Sequence, residues 1–403
     1  MKGLSTTHYL IRFLHYIHSA LDQKKPHAVL AAYVDLSKAF NRIVSILVIQ
    51  DLYDMHTPPW LLRIVSSYLT GRSMILTYNG AMSSEFVLPG GIPQGAVLGG
   101  LIFMIKFNGA LLRPQIPRPI QYDSKSCTGK YVDDAYAAAS IDMKATLVQD
   151  LSVRPKPLQF HQRTGHILPQ PQNTLQHCIS ELEEFTIINN MKINQSKTNI
   201  MMFNTARKWD FPPKVYFQNG NNLELVKKIK LVGVIITEDL KWEDNTNYIC
   251  EKARRKLWIL RRMKGLNLDN LQMLDVYYKE VRSILEMCVP VWHPGLTIKQ
   301  SNRIERIQKI AFRIILSNQY QSYCNALRML QATTLLERRQ NLCKTFAIKN
   351  FKSEHSLFEI QAKVVNTRST KNNIKQYRCN TTRFQKSSLP FLSRMLNDML
   401  NDM

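Results

Sequence analysis

Residues 129–140 read GKYVDDAYAAAS and place two adjacent carboxylates, Asp133 and Asp134, inside a stretch that otherwise has the composition of a β-strand. Aspartate is depleted in strands, and neighbouring carboxylates repel each other, so a pair at such a position usually binds a cation. An isolated Asp-Asp pair is weak evidence, because chance also produces such pairs and a plain turn is the alternative. The pair therefore needs partners elsewhere in the sequence.

Two other segments supply candidate partners. The strand-like run AVLAAYV (28–34) ends at Asp35, and the glycine-rich PGGIPQGAVLGG (89–100) precedes a helix predicted to about residue 112. Asp35 alone could simply end a strand. Together, one carboxylate at a strand end and two at the turn of a hairpin can converge on a pair of divalent cations, an arrangement suited to phosphoryl transfer. Magnesium matches this site because it prefers hard oxygen ligands.

The rest of the chain alternates helical and strand-like patterns before it becomes helical. Periodicity and turn residues predict helices at 6–22, 43–53, 59–70 and 174–189, a strand at 199–204, and hairpins with Asn-Gly turns at 73–88 and 214–226. Residues 114–128 and the Pro- and Gln-rich 154–173 are predicted to be loops. From residue 245 onward the pattern is helical almost throughout.

The charge of the chain points to a polyanionic partner. It has 54 basic and 30 acidic residues, a net charge of +24. Residues 241–403 hold 29 basic and 13 acidic residues, whereas residues 1–240 hold 25 and 17, so two-thirds of the excess lies in the C-terminal part. Nucleic acid is the leading interpretation. An anionic membrane surface is second, but it predicts one isolated basic helix, and here the charge extends over about 160 residues.

Other features exclude several classes of protein. The seven cysteines are scattered without a C-x-x-C pair or zinc-finger spacing, which indicates a reduced, intracellular chain without a structural metal. The longest apolar runs, such as LGGLIFMI (98–105), are too short to span a bilayer. No secretory signal is recognisable at the N-terminus.

Five ordered segments resemble the successive palm motifs of a reverse transcriptase from a non-LTR (LINE-like, jockey-like) retrotransposon. They are VDLSKAF (34–40), GIPQGAVLGGLIF (91–103), YVDD (131–134), MKINQSKTNIMMFN (191–204) and LVGVIITEDLKW (231–242). VWHPGLTIKQSNRIERIQKIAFRIIL (291–316) and TTLLERRQNLC (333–343) resemble the C-terminal thumb and its extension. The resemblance begins after the nucleotide-binding motifs of the fingers, so we expect a chain that is truncated at its N-terminus.

The resemblance implies roles for individual residues. Asp35, Asp133 and Asp134 would be the catalytic carboxylates and would bind two Mg²⁺ ions, with Mn²⁺ as a substitute.

Five further residues would contact the substrate. Leu36 would offer its carbonyl beside Asp35, and Gln94 and Gly95 would contact the incoming nucleotide and template. Phe40 would stack under the sugar and reject a 2′-hydroxyl, unless it is an ordinary core aromatic. Lys197 would approach the triphosphate, unless it is a solvated lysine.

The implied fold is α+β: a right-hand polymerase palm, with an antiparallel sheet, packed helices and partial fingers, followed by a mostly helical thumb and a C-terminal extension. The expected boundaries are 1–240 for the remnant of the fingers and the palm, 241–320 for the thumb and 321–403 for the extension. The expected function is RNA-directed DNA polymerisation, with an RNA template, a DNA primer and dNTPs as partners, no membrane, and a place in the nucleus or cytoplasm. The alternative is an inactive retrotransposon fragment that only binds nucleic acid.

Overall fold

The computed structural model of this 403-residue chain describes residues 5–23, 27–88, 90–93, 95–108, 120–122, 126–131, 134–142, 171–204, 214–266, 268–353, 356–358 and 374–401. The chain forms two compact units. One consists of residues 26–226, which we call the sheet unit, and the other of residues 1–25 together with 227–403, which we call the helical unit.

The helices are α1 (Thr6–Leu21), α2 (Ala39–Arg42), α3 (Ser45–Asp54), α4 (Pro59–Leu69), α5 (Val97–Asn108), α6 (Pro171–Ile188), α7 (Glu243–Gly265), α8 (Asn270–Val276), α9 (Ser283–Glu286), α10 (Val289–Trp292), α11 (Ile298–Leu316), α12 (Tyr323–Met329), α13 (Leu335–Phe351), α14 (Thr382–Gln385) and α15 (Ser388–Asn401). A π-helical segment, Tyr277–Arg282, joins α8 to α9, and 3₁₀ turns lie at His293–Gly295 and Ser317–Gln319.

The strands are β1 (His27–Val34), β2 (Ser73–Met74), β3 (Thr77–Tyr78), β4 (Ala81–Met82), β5 (Phe86–Val87), β6 (Ile120–Tyr122), β7 (Ser126–Tyr131), β8 (Asp134–Asp142), β9 (Asn199–Asn204), β10 (Glu224–Leu225), β11 (Lys228–Leu231) and β12 (Val234–Thr237).

The sheet unit is built around a six-stranded sheet in the order β10-β9-β1-β8-β7-β6. All neighbouring pairs are antiparallel except β10 and β9. Strand β1 lies inside the sheet, with β8 on one side and β9 on the other, so its residues are buried on both faces. This explains why 28–34 is a continuous apolar run rather than an alternating one.

One face of this sheet carries the main hydrophobic core of the unit. Alternate residues of β1, Leu30, Ala32 and Val34, pack with Ile102 and Phe103 of α5. Side chains of successive strand residues point to opposite faces, so Leu36 continues on this face whereas Asp35 belongs to the other. The core therefore fixes the direction in which the strand presents its first carboxylate.

The helical unit has a pair of long helices, α7 and α11, that run side by side in the same direction. Arg303 of α11 forms an ion pair of 2.6 Å with Glu243 at the start of α7. The Lys264 ammonium near the end of α7 donates to the Ile315 carbonyl near the end of α11, at 2.9 Å. Strands β11 and β12 form a separate antiparallel hairpin in this unit.

Helix α1 packs against α10, α14 and α15 of the same unit. Its end is fixed by the buried Asp22, whose carboxylate accepts hydrogen bonds from the backbone N–H groups of Asn380 and Thr381, each at 2.8 Å. The expected boundaries of palm, thumb and extension stay a prediction. In the two compact units, residues 1–25 and 227–240 lie with the C-terminal part, and residues 241–403 lie in one unit. The physical reason is that the apolar face of α1 is buried on C-terminal helices.

Most predicted elements are present with small shifts at their ends. The prediction of a loop at 114–128 is wrong in part, since this stretch contains β6 and the start of β7. Hydrogen bonding to neighbouring strands overrides its polar composition. The 214–226 hairpin is reduced to one bridge between Tyr216 and Asn222, and β10 pairs in parallel with β9. The predicted loop 154–173 lies outside the described residues except at 171–173, where α6 begins.

None of the helices in the described ranges combines the length and the apolar character that crossing a bilayer requires.

Candidate active site

Asp35 follows the last residue of β1, at the point where the strand leaves the sheet. The antiparallel register of β1 and β8 pairs Val34 with Ala135. One further step in the same register brings Asp35 level with Asp134, the first residue of β8. The backbones of these two predicted site residues therefore lie at opposed positions, at the end of β1 and the start of β8. Asp133 and the carboxylate of Asp134 lie outside the described residues.

A loop at residues 192–198 holds Asp35 by its backbone. The Asp35 carbonyl accepts a hydrogen bond of 2.8 Å from the Asn194 backbone N–H. Its own N–H donates to the Thr198 hydroxyl at 3.3 Å, and Thr198 is fully buried. The loop precedes β9 and extends the sheet beyond the first residue of that strand. It thereby fixes the backbone of Asp35.

The same loop also contacts the Asp35 side chain. The Asn194 amide nitrogen donates to Asp35 Oδ2 at 3.0 Å. The Ser196 hydroxyl in turn donates to the Asn194 amide oxygen at 2.8 Å. The half-buried carboxylate of Asp35 is therefore oriented by a neutral amide.

Leu36 is buried and forms an isolated antiparallel bridge with Ile193. The two hydrogen bonds that define this bridge use the Asp35 carbonyl and the Ser37 N–H, which donates to the Lys192 carbonyl. The bridge does not use the Leu36 carbonyl, since the residues of a non-hydrogen-bonded pair direct their polar groups away from each other.

Phe40 lies in α2, five residues after Asp35, and is half-buried. Its ring stacks on Phe103 of α5, with centroids 4.6 Å apart and planes at 12°. Phe103 is fully buried, whereas Phe40 keeps part of its surface exposed. Phe40 therefore packs against the core and keeps part of its surface exposed.

The glycine-rich segment packs directly on α2. The Gly91 N–H donates to the Ile43 carbonyl and the Ile92 N–H to the Phe40 carbonyl, both at 2.8 Å. Gly91 has a φ of +84°, and a Cβ there would lie 3.1 Å from the Cα of Asn41. Only glycine combines this backbone conformation with so close an approach. The first and second motifs are thus joined through their backbones.

Three predicted substrate residues remain: Gln94, Gly95 and Lys197. Gln94 lies outside the described residues. Gly95 is exposed, with a φ of +88° and open space around an added Cβ. Lys197 is exposed and belongs to the loop that holds Asp35, its N–H donating to the Asn194 carbonyl at 3.1 Å.

The sequence did not point to three residues that organise this site. Asn194 and Thr198 contact Asp35 across more than 150 positions, and no local pattern announces such a contact. Arg72, ahead of the 73–88 hairpin, donates through Nη2 to the carbonyls of Gly90 and Gly91 and so braces the glycine-rich segment.

The helical unit carries a separate basic surface on α7. Trp258 is 58% exposed, and the four exposed residues Arg254, Arg255, Arg261 and Arg262 lie three or four positions from it, on the same face. No ion pair among the described residues involves these arginines. We call Trp258 and the four arginines the α7 surface.

The family model described as reverse transcriptase (RNA-dependent DNA polymerase) matches residues 2–236, more than half of the chain. The chain belongs to the reverse transcriptase family. The prediction of an α+β fold of the polymerase palm type is thereby confirmed, and so is the recognition of the retrotransposon relatives.

Relatives of this reverse transcriptase chain come from mobile elements. A probable RNA-directed DNA polymerase from transposon X-element of Drosophila melanogaster is 25% identical over 319 residues, covering 77% of this chain and 30% of the relative. The RNA-directed DNA polymerase from mobile element jockey of Drosophila funebris is 23% identical over 270 residues, covering 66% and 26%. The chain thus spans about a third or less of the length of these relatives.

Among solved structures, telomerase from Candida tropicalis in complex with the TWJ fragment of telomeric RNA has a TM-score of 0.40 at 13% identity, covering 88% of this reverse transcriptase chain and 51% of the telomerase.

The donor set of the site suits a divalent metal. Within the described ranges no three His, Cys, Asp or Glu side chains meet as a metal-binding group. Asp35 nevertheless offers a hard carboxylate oxygen at the edge of the sheet, and the register places Asp134 level with it. Carboxylates of this kind, together with waters and phosphate oxygens, are what Mg²⁺ binds.

Proposed function

We propose that this chain carries out RNA-directed DNA polymerisation: the 3′-hydroxyl of a DNA primer attacks the α-phosphate of a dNTP, and pyrophosphate leaves. The observation that carries the proposal is Asp35, held at the end of β1 by three contacts from one loop and level with Asp134 on the next strand. Its support is membership of the reverse transcriptase family.

Asp35, Asp133 and Asp134 are proposed to bind two Mg²⁺ ions, which Mn²⁺ can replace. When bound, the metal neutralises charge that develops on the phosphoryl oxygens. The contribution of the chain is to hold the carboxylates of two adjacent strands in fixed positions, because phosphoryl transfer depends mainly on positioning and electrostatic stabilisation. The Leu36 carbonyl is proposed as a further oxygen beside them.

The nucleotide is proposed to lie beside α2 and the glycine-rich segment. The exposed side of Phe40 would face the sugar and select deoxyribose. Gln94 and Gly95 would contact the nucleotide and template, and the φ of +88° at Gly95 supports close approach of backbone to substrate. Lys197 would approach the triphosphate, with its exposure and its place in the Asp35 loop as support.

The template and primer are proposed to contact the helical unit. Four arginines without an ion pair among the described residues, around an exposed tryptophan, match the chemistry of a nucleic acid, since arginine binds phosphates and an indole stacks on bases. The partners are thus an RNA template and a DNA primer. Integration into chromosomal DNA would require access to the nucleus.

Primer extension tests the proposal. On a poly(rA) template with an oligo(dT) primer, the chain is expected to incorporate dTTP in Mg²⁺ and in Mn²⁺. Asp35→Asn and the double variant Asp133→Asn/Asp134→Asn are expected to lose about 100-fold or more, since each removes part of a charge stabilisation of several kcal/mol.

The matched control is Asp54→Asn, the same chemical change at an exposed aspartate at the end of α3. It is expected to incorporate like the parent chain. Absence of incorporation by the parent, with binding to the template and primer intact, would contradict the proposal and favour the alternative, a fragment that only binds nucleic acid through the α7 surface.

A further inference from the structure

The side chain of Asn194 is the one described group that restrains the Asp35 carboxylate. Its amide nitrogen lies 3.0 Å from Asp35 Oδ2, and no other described side chain hydrogen-bonds either carboxylate oxygen. The backbone of Asp35 is held independently, by the Asn194 N–H and the Thr198 hydroxyl. Peptide and carboxylate of Asp35 are thus fixed by separate contacts from the same short loop.

If the Asn194 side-chain amide flipped and exchanged its oxygen and nitrogen, it would also lose its hydrogen bond with Ser196. The Ser196 hydroxyl donates to the Asn194 amide oxygen at 2.8 Å, so the amide nitrogen faces Asp35. The loop itself is closed behind the amide by hydrogen bonds of the Lys197 and Thr198 N–H groups to the Asn194 carbonyl, at 3.1 and 2.9 Å. A chain from Ser196 through Asn194 to Asp35 therefore sets the angle of the carboxylate.

A neutral donor is suited to a carboxylate that must bind a cation. A lysine or arginine at this position would neutralise Asp35 and repel the metal, whereas an amide restrains the carboxylate and leaves its negative charge intact. Hydrogen-bonded partners of this kind orient metal-binding carboxylates, and their loss typically weakens metal binding 10- to 100-fold.

We propose that Asn194, with Ser196 behind it, is a positioning residue that orients the Asp35 carboxylate for divalent metal. The inference rests on the proposed function, because it takes Asp35 as a metal ligand. It extends that function by assigning a role to a loop residue that does not itself touch the metal or the nucleotide.

Binding of Mn²⁺ alone to the full chain, followed by electron paramagnetic resonance, tests the inference without any need for turnover. Asn194→Ala keeps the backbone contact to Asp35 and removes only the amide, so we expect the Kd for Mn²⁺ to rise about 10-fold or more. Ser196→Ala leaves the amide in place but free to turn, so we expect a smaller rise in the same direction. Urea unfolding of each variant checks that the sheet unit remains folded.

The matched control is Gln195→Ala in the same loop. The Gln195 side chain accepts hydrogen bonds from Asn219 and Asn221 and makes no described contact with Asp35. We expect its Kd for Mn²⁺ to equal that of the parent chain. The Mg²⁺ dependence of primer extension is a second measurement. Excess Mg²⁺ should restore the activity of Asn194→Ala but not that of Asp35→Asn.

The outcomes separate the two proposals. If the parent binds Mn²⁺, Asp35→Asn loses it, and Asn194→Ala binds like the parent or no more weakly than Gln195→Ala, the positioning role is wrong and the metal site stands. If the parent does not bind Mn²⁺, or Asp35→Asn binds it unchanged, Asp35 is not a ligand, and both the proposed metal site and the inference built on it are overturned.

Discussion

At the scale of single residues, Gly91 has little freedom to vary. Its φ of +84° disfavours any L side chain, and a Cβ would also lie 3.1–3.2 Å from backbone atoms of Asn41 and Phe40. Gly80 has the same φ, but a Cβ there would meet no atom within 4 Å. The two glycines therefore separate the effect of backbone conformation from that of close approach.

We predict that Gly80→Ala lowers the free energy of unfolding by about 1–2 kcal/mol, the cost of a left-handed conformation. Gly91→Ala should lose at least about 1 kcal/mol more, because α2 and the glycine-rich segment must move apart. Urea unfolding followed by circular dichroism measures both. Equal losses of unfolding free energy would contradict the prediction, because they would show that α2 can move away from Gly91 without loss of stability and that the two motifs are not tightly joined.

Single residues also show how far the sequence could predict the site. Asp35 was predictable because a strand pattern ends at it and the motif order supports it. Asn194 was not, since its contact with Asp35 depends on β9 pairing beside β1, a relation between residues 159 positions apart. Arg72 was missed for a different reason: its acceptors are backbone carbonyls, which the identities of the side chains do not reveal.

At the scale of elements, α7 combines a buried stripe with an exposed basic face. Ala253, Leu257 and Leu260 are fully buried, while Arg254 and Arg261, which lie outside this stripe, are exposed. This division follows directly from the 3.6-residue period and was predictable. Strand β6 and the start of β7 were not, because their polar sequence is stabilised as strand by pairing, of β6 with β7 and of β7 with β8.

We predict that Arg254→Gln/Arg261→Gln weakens binding of a template–primer duplex. The steepness with which the logarithm of the association constant falls with the logarithm of salt concentration should drop by about 2, because each lost phosphate contact releases about one counterion fewer. The matched control, Lys344→Gln/Lys349→Gln, makes the same charge change at exposed positions of α13 and should keep the slope. Fluorescence anisotropy at several salt concentrations measures it. Equal slopes for the two double variants would show that net charge alone, and not the α7 surface, governs binding.

At the scale of the whole molecule, the helical unit buries histidines in their neutral form. Burial, assisted by the nearby Arg383 and His15, lowers the pKa of His18 from 6.5 to about 3. Burial, assisted by Arg12, lowers the pKa of His8 to about 4. Burial, assisted by Arg339, lowers that of His293 to about 4.

These shifts predict a loss of stability in mild acid. Between about pH 6.5 and pH 4 the unfolded chain takes up protons at these histidines while the folded chain does not, so the free energy of unfolding falls as the pH falls. The slope approaches about 1.4 kcal/mol per pH unit for each histidine in that window. Urea midpoints at pH 7.5, 6.0 and 4.5 measure it.

His18→Leu removes one of these groups and should flatten the dependence of the midpoint on pH. The control His56→Gln changes an exposed histidine of the sheet unit and should leave the dependence as it is. A His18→Leu chain with the same pH dependence as the parent would contradict the assignment.

The helical unit is assembled from two distant stretches of the chain, 1–25 and 227–403, and this affects its folding during synthesis on the ribosome. The sheet unit is one continuous segment and can fold as soon as it has left the exit tunnel. Helix α1 ends at Leu21 and emerges earlier, yet the first of the helices that cover it begins only at Val289 and the last at Ser388. During that interval a nascent chain would display an amphipathic helix with eleven residues destined for the interior, a natural target for chaperones that recognise apolar segments.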